Sequence, residues 1–156
     1  MSITIEQAME ARAEVRELVG ELNAVLGAAY EPHQRHGLSM DQLFQPNMRF
    51  FLAKRDAFAL GCGGVAVFDG YAEVKRMYTR PAARGQGVAN ALLRRIEEEA
   101  RSLGRLVLRL ETGIHQREAI GLYEHAGFRQ RQAFGPYANM PRRQIETSLF
   151  FEKELG

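Results

Sequence analysis

The chain of 156 residues has little of what marks several large classes of protein. One cysteine, Cys62, allows neither an internal disulfide nor a cysteine-rich metal site, in keeping with a reducing compartment and no bound metal. No segment approaches the roughly 18 consecutive apolar residues of a membrane span, and the opening MSITIEQAMEARAEV carries acids where a secretory leader has its apolar run. The expectation is a cytoplasmic protein with no membrane partner. A charge excess is missing too: 21 Lys and Arg against 19 Asp and Glu leave +2, too little to make nucleic acid the default partner. Repeats, low-complexity tracts and linkers are absent, so residues 1–156 read as one domain of ordinary size.

What is present is a globular balance, 46% hydrophobic and 26% charged, able to bury a substantial core. The charge is unevenly spread. From Lys75 to Arg109 the chain carries basic side chains throughout, with acids confined to Glu97, Glu98 and Glu99. That segment could meet an anion, although a general preference for arginine explains it as well.

Thr4 with Gln7 suggests a capping box, and the apolar positions from Ile5 and Ala8 through Val15, Leu18 and Leu22 to Leu26 predict one long amphipathic helix. Residues 28–47 read as a loop with a short helix near Met40–Phe44. Three β-prone runs follow, Arg49–Lys54, Phe58–Phe68 and Tyr71–Thr79, the last two joined by Asp69-Gly70, a tight-hairpin signal. Val88, Leu92, Ile96, Ala100 and Leu103 form one helical stripe ending at Gly104. A strand (Leu106–Glu111), a short helix (about Gln116–Ala126) and two more strands (Phe128–Phe134, Ile145–Glu152) complete an α/β (α+β) chain. Its sheet should be mixed and mostly antiparallel, with a parallel crossover in the middle.

Between the third strand and the stripe lies Arg84-Gly85-Gln86-Gly87-Val88-Ala89. A helix N-terminus exposes unpaired N–H groups and the positive end of the helix dipole, and small residues let anionic oxygens reach them. The design suits a pyrophosphate, with Arg84 and Arg80 as side-chain partners. A turn that merely caps a helix would look similar. No Gly-Lys-Ser/Thr follows, so it is not a P-loop, and the third glycine of a dinucleotide loop is missing.

Around this loop the chain resembles the GNAT superfamily of acetyl-coenzyme-A-dependent N-acyltransferases. Met77-Tyr78-Thr79-x-Pro81 leads into Arg84-x-x-Gly87-x-Ala89 and Leu92-Leu93; Leu108-x-Leu110-Glu111-Thr112 and Ala119-Ile120-x-Leu122-Tyr123-x-x-x-Gly127-Phe128 follow. The resemblance implies a single domain with a twisted sheet splayed at the coenzyme site, and acetyl-CoA as co-substrate. The amides of Gly85, Gln86, Gly87, Val88, Ala89 and Asn90, helped by Arg84, would hold its pyrophosphate. Backbone groups of Met77 and Thr79 would pair with the pantetheine arm, and the amide of Met77 or Tyr78 would face the oxyanion. Gln116 stands where many members have asparagine, so its coenzyme contact would come from a shifted position. Tyr123 takes the position of the acid that protonates the leaving thiolate; its helix face alone reads as core with the hydroxyl at the rim. Glu111 and Glu73 each match an acid that members use as general base, and each could equally be an arginine partner. Glu73 lies about 13 Å along a strand from Met77 and would act through water. Homodimers through a strand edge are common in the family.

The resemblance puts the acceptor, an amine of a small molecule or peptide, between Tyr30, Glu31, His33, His36 and Phe44 on one side and the turn Phe134-Gly135-Pro136-Tyr137 on the other. Direct acetyl transfer is the leading reading. A non-catalytic acyl-CoA-binding sensor is the alternative, and a nucleic-acid binder using the basic middle comes third.

Overall fold

The computed structural model describes residues 2–156. One sheet of seven strands runs through it in the order β1 (Thr4–Ala8), β2 (Met48–Arg55), β3 (Phe58–Phe68), β4 (Tyr71–Thr79), β5 (Val107–Gly113), β7 (Ser148–Glu154), β6 (Arg129–Arg131). All neighbours are antiparallel except β4 and β5, which are parallel because helix α2 (Val88–Ser102) crosses between them. The other helices are α1 (Ala13–Ala29), α3 (Arg117–His125) and the short α4 (Arg142–Ile145). Among the described residues no helix is long and apolar enough to cross a membrane.

Strand β2 shows why the sheet is sandwiched. Its Phe50-Phe51-Leu52-Ala53 is apolar at every position, so both faces must be covered. Phe50 and Leu52 pack with Val15 and Leu18 of α1, while Phe51 and Ala53 join Leu92 and Ile96 of α2. The predicted stripe on α2 is buried at Val88, Leu92, Ile96 and Ala100, and Gly104 (φ 75°) follows the helix end.

Two predicted elements are corrected. Residues 4–8 are a strand, not the start of the first helix: they pair with β2 from Thr4 opposite Lys54 to Ala8 opposite Phe50. Ile5 packs on the α2 side and Ala8 on the α1 side, whereas Met9, which a continuous helical stripe would bury, is 76% exposed. The helical spacing of Ile5 and Ala8 with the later residues is coincidental, and sheet pairing overrides it. The strand expected over Phe128–Phe134 keeps only Arg129–Arg131, because Phe134 leaves the ladder to pack with Tyr137 and Phe150.

The sheet opens at its middle. β4 pairs with β5 only from Ala72 opposite Leu108 to Val74 opposite Leu110; beyond that β4 continues to Thr79 and β5 to Gly113 without each other. On its other edge β4 carries a bulge. Lys75 faces Gly64 and Tyr78 faces Cys62, so Arg76 and Met77 together oppose Gly63. Arg76 takes the left-handed conformation (φ 57°), and a Cβ on Gly63 would overlap the Met77 sulfur. Bulge and splay both fall at the centre of the molecule.

Candidate active site

The glycine loop leaves the start of α2 open. Gly85 (φ 76°) and Gly87 (φ 85°) both lie in the left-handed region, and Gly87 is the N-cap of α2. That helix has no side-chain cap and no acid in its first turn, so its leading N–H groups are left for an external partner. A Cβ on either glycine would meet no atom within 4 Å, so the space before the loop is open. From here a cleft of about 650 Å³ runs past Met77, Tyr78 and Thr79 to Gln116 and Tyr123.

Of the predicted loop residues, Arg84, Gly85, Gly87, Val88, Ala89 and Asn90 border this cleft. Gln86 turns its side chain away: it accepts from Arg55 Nη1 at 2.6 Å and donates to the Ala82 carbonyl at 3.2 Å. Arg55 was not foreseen, since it belongs to a distant strand. Arg80 is a correction. Its guanidinium is held by Glu17 and Glu21 of α1 and donates to the Ala59 carbonyl, so it serves α1 and not the loop. The basic segment of the sequence is divided in the same way, with Arg95 paired to Glu99 and Arg109 to Glu152 on other faces.

The backbone of β4 is oriented by its ladder. The Arg80 N–H donates to the Leu60 carbonyl at 2.9 Å, and the two-residue alternation gives Tyr78 the same direction. Met77 and Thr79 therefore turn their backbone groups to the opposite edge, where β5 has splayed away. Tyr78 sends its hydroxyl to Glu21 at 3.0 Å on the α1 side.

Behind the splay lies a second, smaller cavity of about 130 Å³, which shares Met77, Gln116 and Tyr123 with the cleft. Both predicted glutamates line it, in different states. Glu73, 3% exposed, accepts from the Tyr137 hydroxyl at 2.7 Å and from Lys75 Nζ at 3.2 Å through the same oxygen. Glu111 is bound by the Ser148 hydroxyl at 2.7 Å, and burial raises its pKa above the ordinary carboxylate value despite that bond. Tyr123 is 5% exposed, and burial followed by the nearby Glu111 charge raises its phenol pKa, so it is protonated at neutral pH. Two partners escaped the sequence reading: Lys75, two residues from Glu73 on the same strand, and Ser148, which reaches Glu111 from β7.

Tyr30 forms one wall. Its hydroxyl donates to Gln116 Oε1 at 2.9 Å and accepts from the His115 N–H at 2.9 Å, so Gln116 is held by its amide oxygen. Gly113 makes the room: a Cβ there would overlap the Tyr30 hydroxyl. Gly113→Ala is expected to displace Tyr30 and lower stability by about 1–3 kcal/mol, as overpacking does, in a thermal unfolding comparison.

The remaining acceptor-side residues divide. His36 lines the small cavity and bonds the Gln144 carbonyl through Nε2 at 2.7 Å. Glu31 instead caps the short turn Pro32–Gln34. Phe44 packs edge-on against Phe50 in the α1-side core, and Phe134 is a core residue 3% exposed. An aromatic side chain in a loop looks the same in sequence whether it faces a ligand or the core.

Residues 14–128 match the family model described as "Acetyltransferase (GNAT) family". The chain belongs to this family. It is a GNAT acyltransferase, and its glycine loop, splayed β4 and Tyr123 all lie inside the matched region. It is similar to the "IAA acetyltransferase" of Azospirillum brasilense, 41% identical over 124 residues that cover 78% of this chain and 81% of that protein. Among solved structures it is similar to a Klebsiella pneumoniae protein assigned to the acyl-CoA N-acyltransferases, with a TM-score of 0.83 and 34% identity over 99% of this chain and 98% of that one. The PaiA N-acetyltransferase from Thermoplasma acidophilum, solved in complex with coenzyme A, shares the fold at a TM-score of 0.77 and 20% identity over 99% of each chain.

Proposed function

We propose that this GNAT enzyme transfers acetyl directly from acetyl-CoA to a primary amine, with the thioester at the junction of the two cavities. One observation carries the proposal: Met77, Gln116 and Tyr123 line both the cleft and the small cavity. The pyrophosphate would lie on the amides from Gly85 to Asn90, with Arg84 beside it, and the pantetheine along the free backbone of Met77 and Thr79. The coenzyme A held by the Thermoplasma relative supports this ligand. The amine reaches the thioester from the small cavity.

Glu111 takes one proton from the bound ammonium, the neutral amine then forms its bond to the acetyl carbon, and the second proton, left on the cationic nitrogen of the tetrahedral intermediate, passes to solvent. The Met77 N–H donates to the oxygen that becomes negative. When the carbon–sulfur bond breaks, the Tyr123 hydroxyl gives its proton to the sulfur and is reprotonated from solvent. The products are an N-acetyl amide and the free thiol. Glu111 is preferred to Glu73 as the base because Glu73 already accepts from both Lys75 and Tyr137, whereas Glu111 has one donor and a raised pKa.

The two proton transfers differ in difficulty. A thiol with a pKa near 8.5 leaves well as thiolate, whereas a lysine-like ammonium near 10.4 must be deprotonated before it can attack. Tyr123→Phe is therefore expected to lower kcat only about tenfold, less than the roughly 10²- to 10⁴-fold usual for acid–base groups. Thiol release in the presence of a responsive amine measures it; unchanged kcat removes Tyr123 from the mechanism.

A further inference from the structure

The small cavity holds more positive charge than acetyl transfer explains. Its Glu73 is matched by Lys75 at 3.2 Å, and Lys75 is further committed to the Tyr137 hydroxyl and the His36 carbonyl. Of the remaining charged walls, Glu111 stands against two guanidinium groups, Arg35 and Arg76. Among the described residues neither arginine has a carboxylate in ion-pair range, whereas Arg95 and Arg109 each have one and Arg80 has two.

Arg76 is the more telling of the two. It occupies the β4 bulge, is 9% exposed, and has one side-chain partner, the neutral amide of Asn23; its Nε is buried with no partner. A buried guanidinium with an unused donor and no counter-charge is costly to keep in a fold, and its planar fork suits a carboxylate. Arg35 is exposed at the mouth of the same cavity. At about 130 Å³ the cavity is far below the roughly 300–1,000 Å³ that drug-sized ligands occupy, so what enters is small.

We infer that the acceptor is a small amine that also carries a carboxylate, an amino acid in the chemical sense. The carboxylate lies on Arg76 and Arg35, and the amine points to Glu111. The inference rests on the acetyl-transfer reading for the role of the amine, and on the two arginines alone for the carboxylate. A plain amine would leave Arg76 without its anion, and a residue in mid-peptide has no carboxylate at that place.

The test uses the whole protein saturated with coenzyme A and a series of α-, β- and γ-amino acids, each beside its carboxamide and its aminophosphonate. Calorimetry reads binding, and thiol release from acetyl-CoA reads turnover. At least one amino acid is expected to exceed its carboxamide by roughly thirtyfold or more in affinity and in kcat/KM, the size of one charge-assisted contact. Arg35→Gln, a surface change that leaves the core alone, should bring that ratio down severalfold while coenzyme affinity stays put, and Arg76→Gln should bring it close to one. Carboxamides or plain amines that bind and react as well as the acids overturn the inference while upholding acetyl transfer. A preference for the aminophosphonate overturns the carboxylate. Amino acids that bind in an Arg35-dependent way without ever being acetylated uphold the carboxylate site and overturn acetyl transfer.

Discussion

Glu111→Gln is expected to lower kcat by about 10²- to 10⁴-fold while leaving coenzyme affinity unchanged and the folded protein no less stable. The rate loss follows from the work assigned to this carboxylate. It accepts a proton from an ammonium whose pKa lies near 10.4, and a base whose own pKa has been raised does so against a smaller gap. The stability effect has the opposite sign because burial is the largest cause of that raised value. A carboxyl whose folded pKa exceeds its unfolded one binds more protons when folded. Its ionisation therefore erodes stability as pH climbs from the ordinary carboxylate value through the raised one, and the erosion persists above. Glutamine keeps the acceptor oxygen for the Ser148 hydroxyl and removes the charge, so its melting temperature at neutral pH should equal or exceed that of the native protein. The pH profiles give the sharpest contrast. The native enzyme should show an acid limb above the usual glutamate value and then level off, since Glu111 does the deprotonation. The variant should lack that limb and keep climbing toward the pKa of the free amine. Equal profiles, or a collapse in kcat on Glu73→Gln with Glu111→Gln active, would move the base to Glu73.

How far the sequence foretold this site depends on the range of the contacts involved. The β2–β3–β4 meander, the parallel crossover and α2 were legible because period-two runs, Asp69-Gly70 and the stripe from Val88 to Ala100 are local signals. The strand at residues 4–8 was not, since its spacing suits a helix and only pairing with β2 selects the strand. Within the site, Gly85 and Gly87 were legible as small residues before a helix, and Tyr123 only through the resemblance to the GNAT family, since its helix face alone reads as core. The different hydrogen-bond partners of Glu73 and Glu111 were hidden, because Tyr137 and Ser148 reach them from segments far along the chain. Arg80 misled for the same reason. Its nearness to the loop in sequence suggested phosphate, and two glutamates on α1, some sixty residues earlier, claim it instead.

The second large effect belongs to Gly87. Gly87→Val should reduce affinity for coenzyme A at least a hundredfold and cost about 1–2 kcal/mol of stability, the penalty for an L side chain in the left-handed region. The two numbers separate because of where the side chain would go. A Cβ at Gly87 meets no protein atom within 4 Å, so nothing in the core is displaced. What the isopropyl group would occupy is the open space over the first N–H groups of α2, where the proposed site puts the phosphate oxygens. A β-branched residue also resists the observed φ of 85°, and any relaxation of that angle turns the loop amides away from the ligand. Gly104→Val is the matched control. Gly104 has a φ of 75° and equally open surroundings, but lies just beyond the other end of α2. It should lose a similar few degrees of melting temperature and bind coenzyme A like the native protein, as calorimetry would read. If both variants bind equally, the left-handed glycine at the head of α2 serves only to start a helix, and the pyrophosphate lies elsewhere.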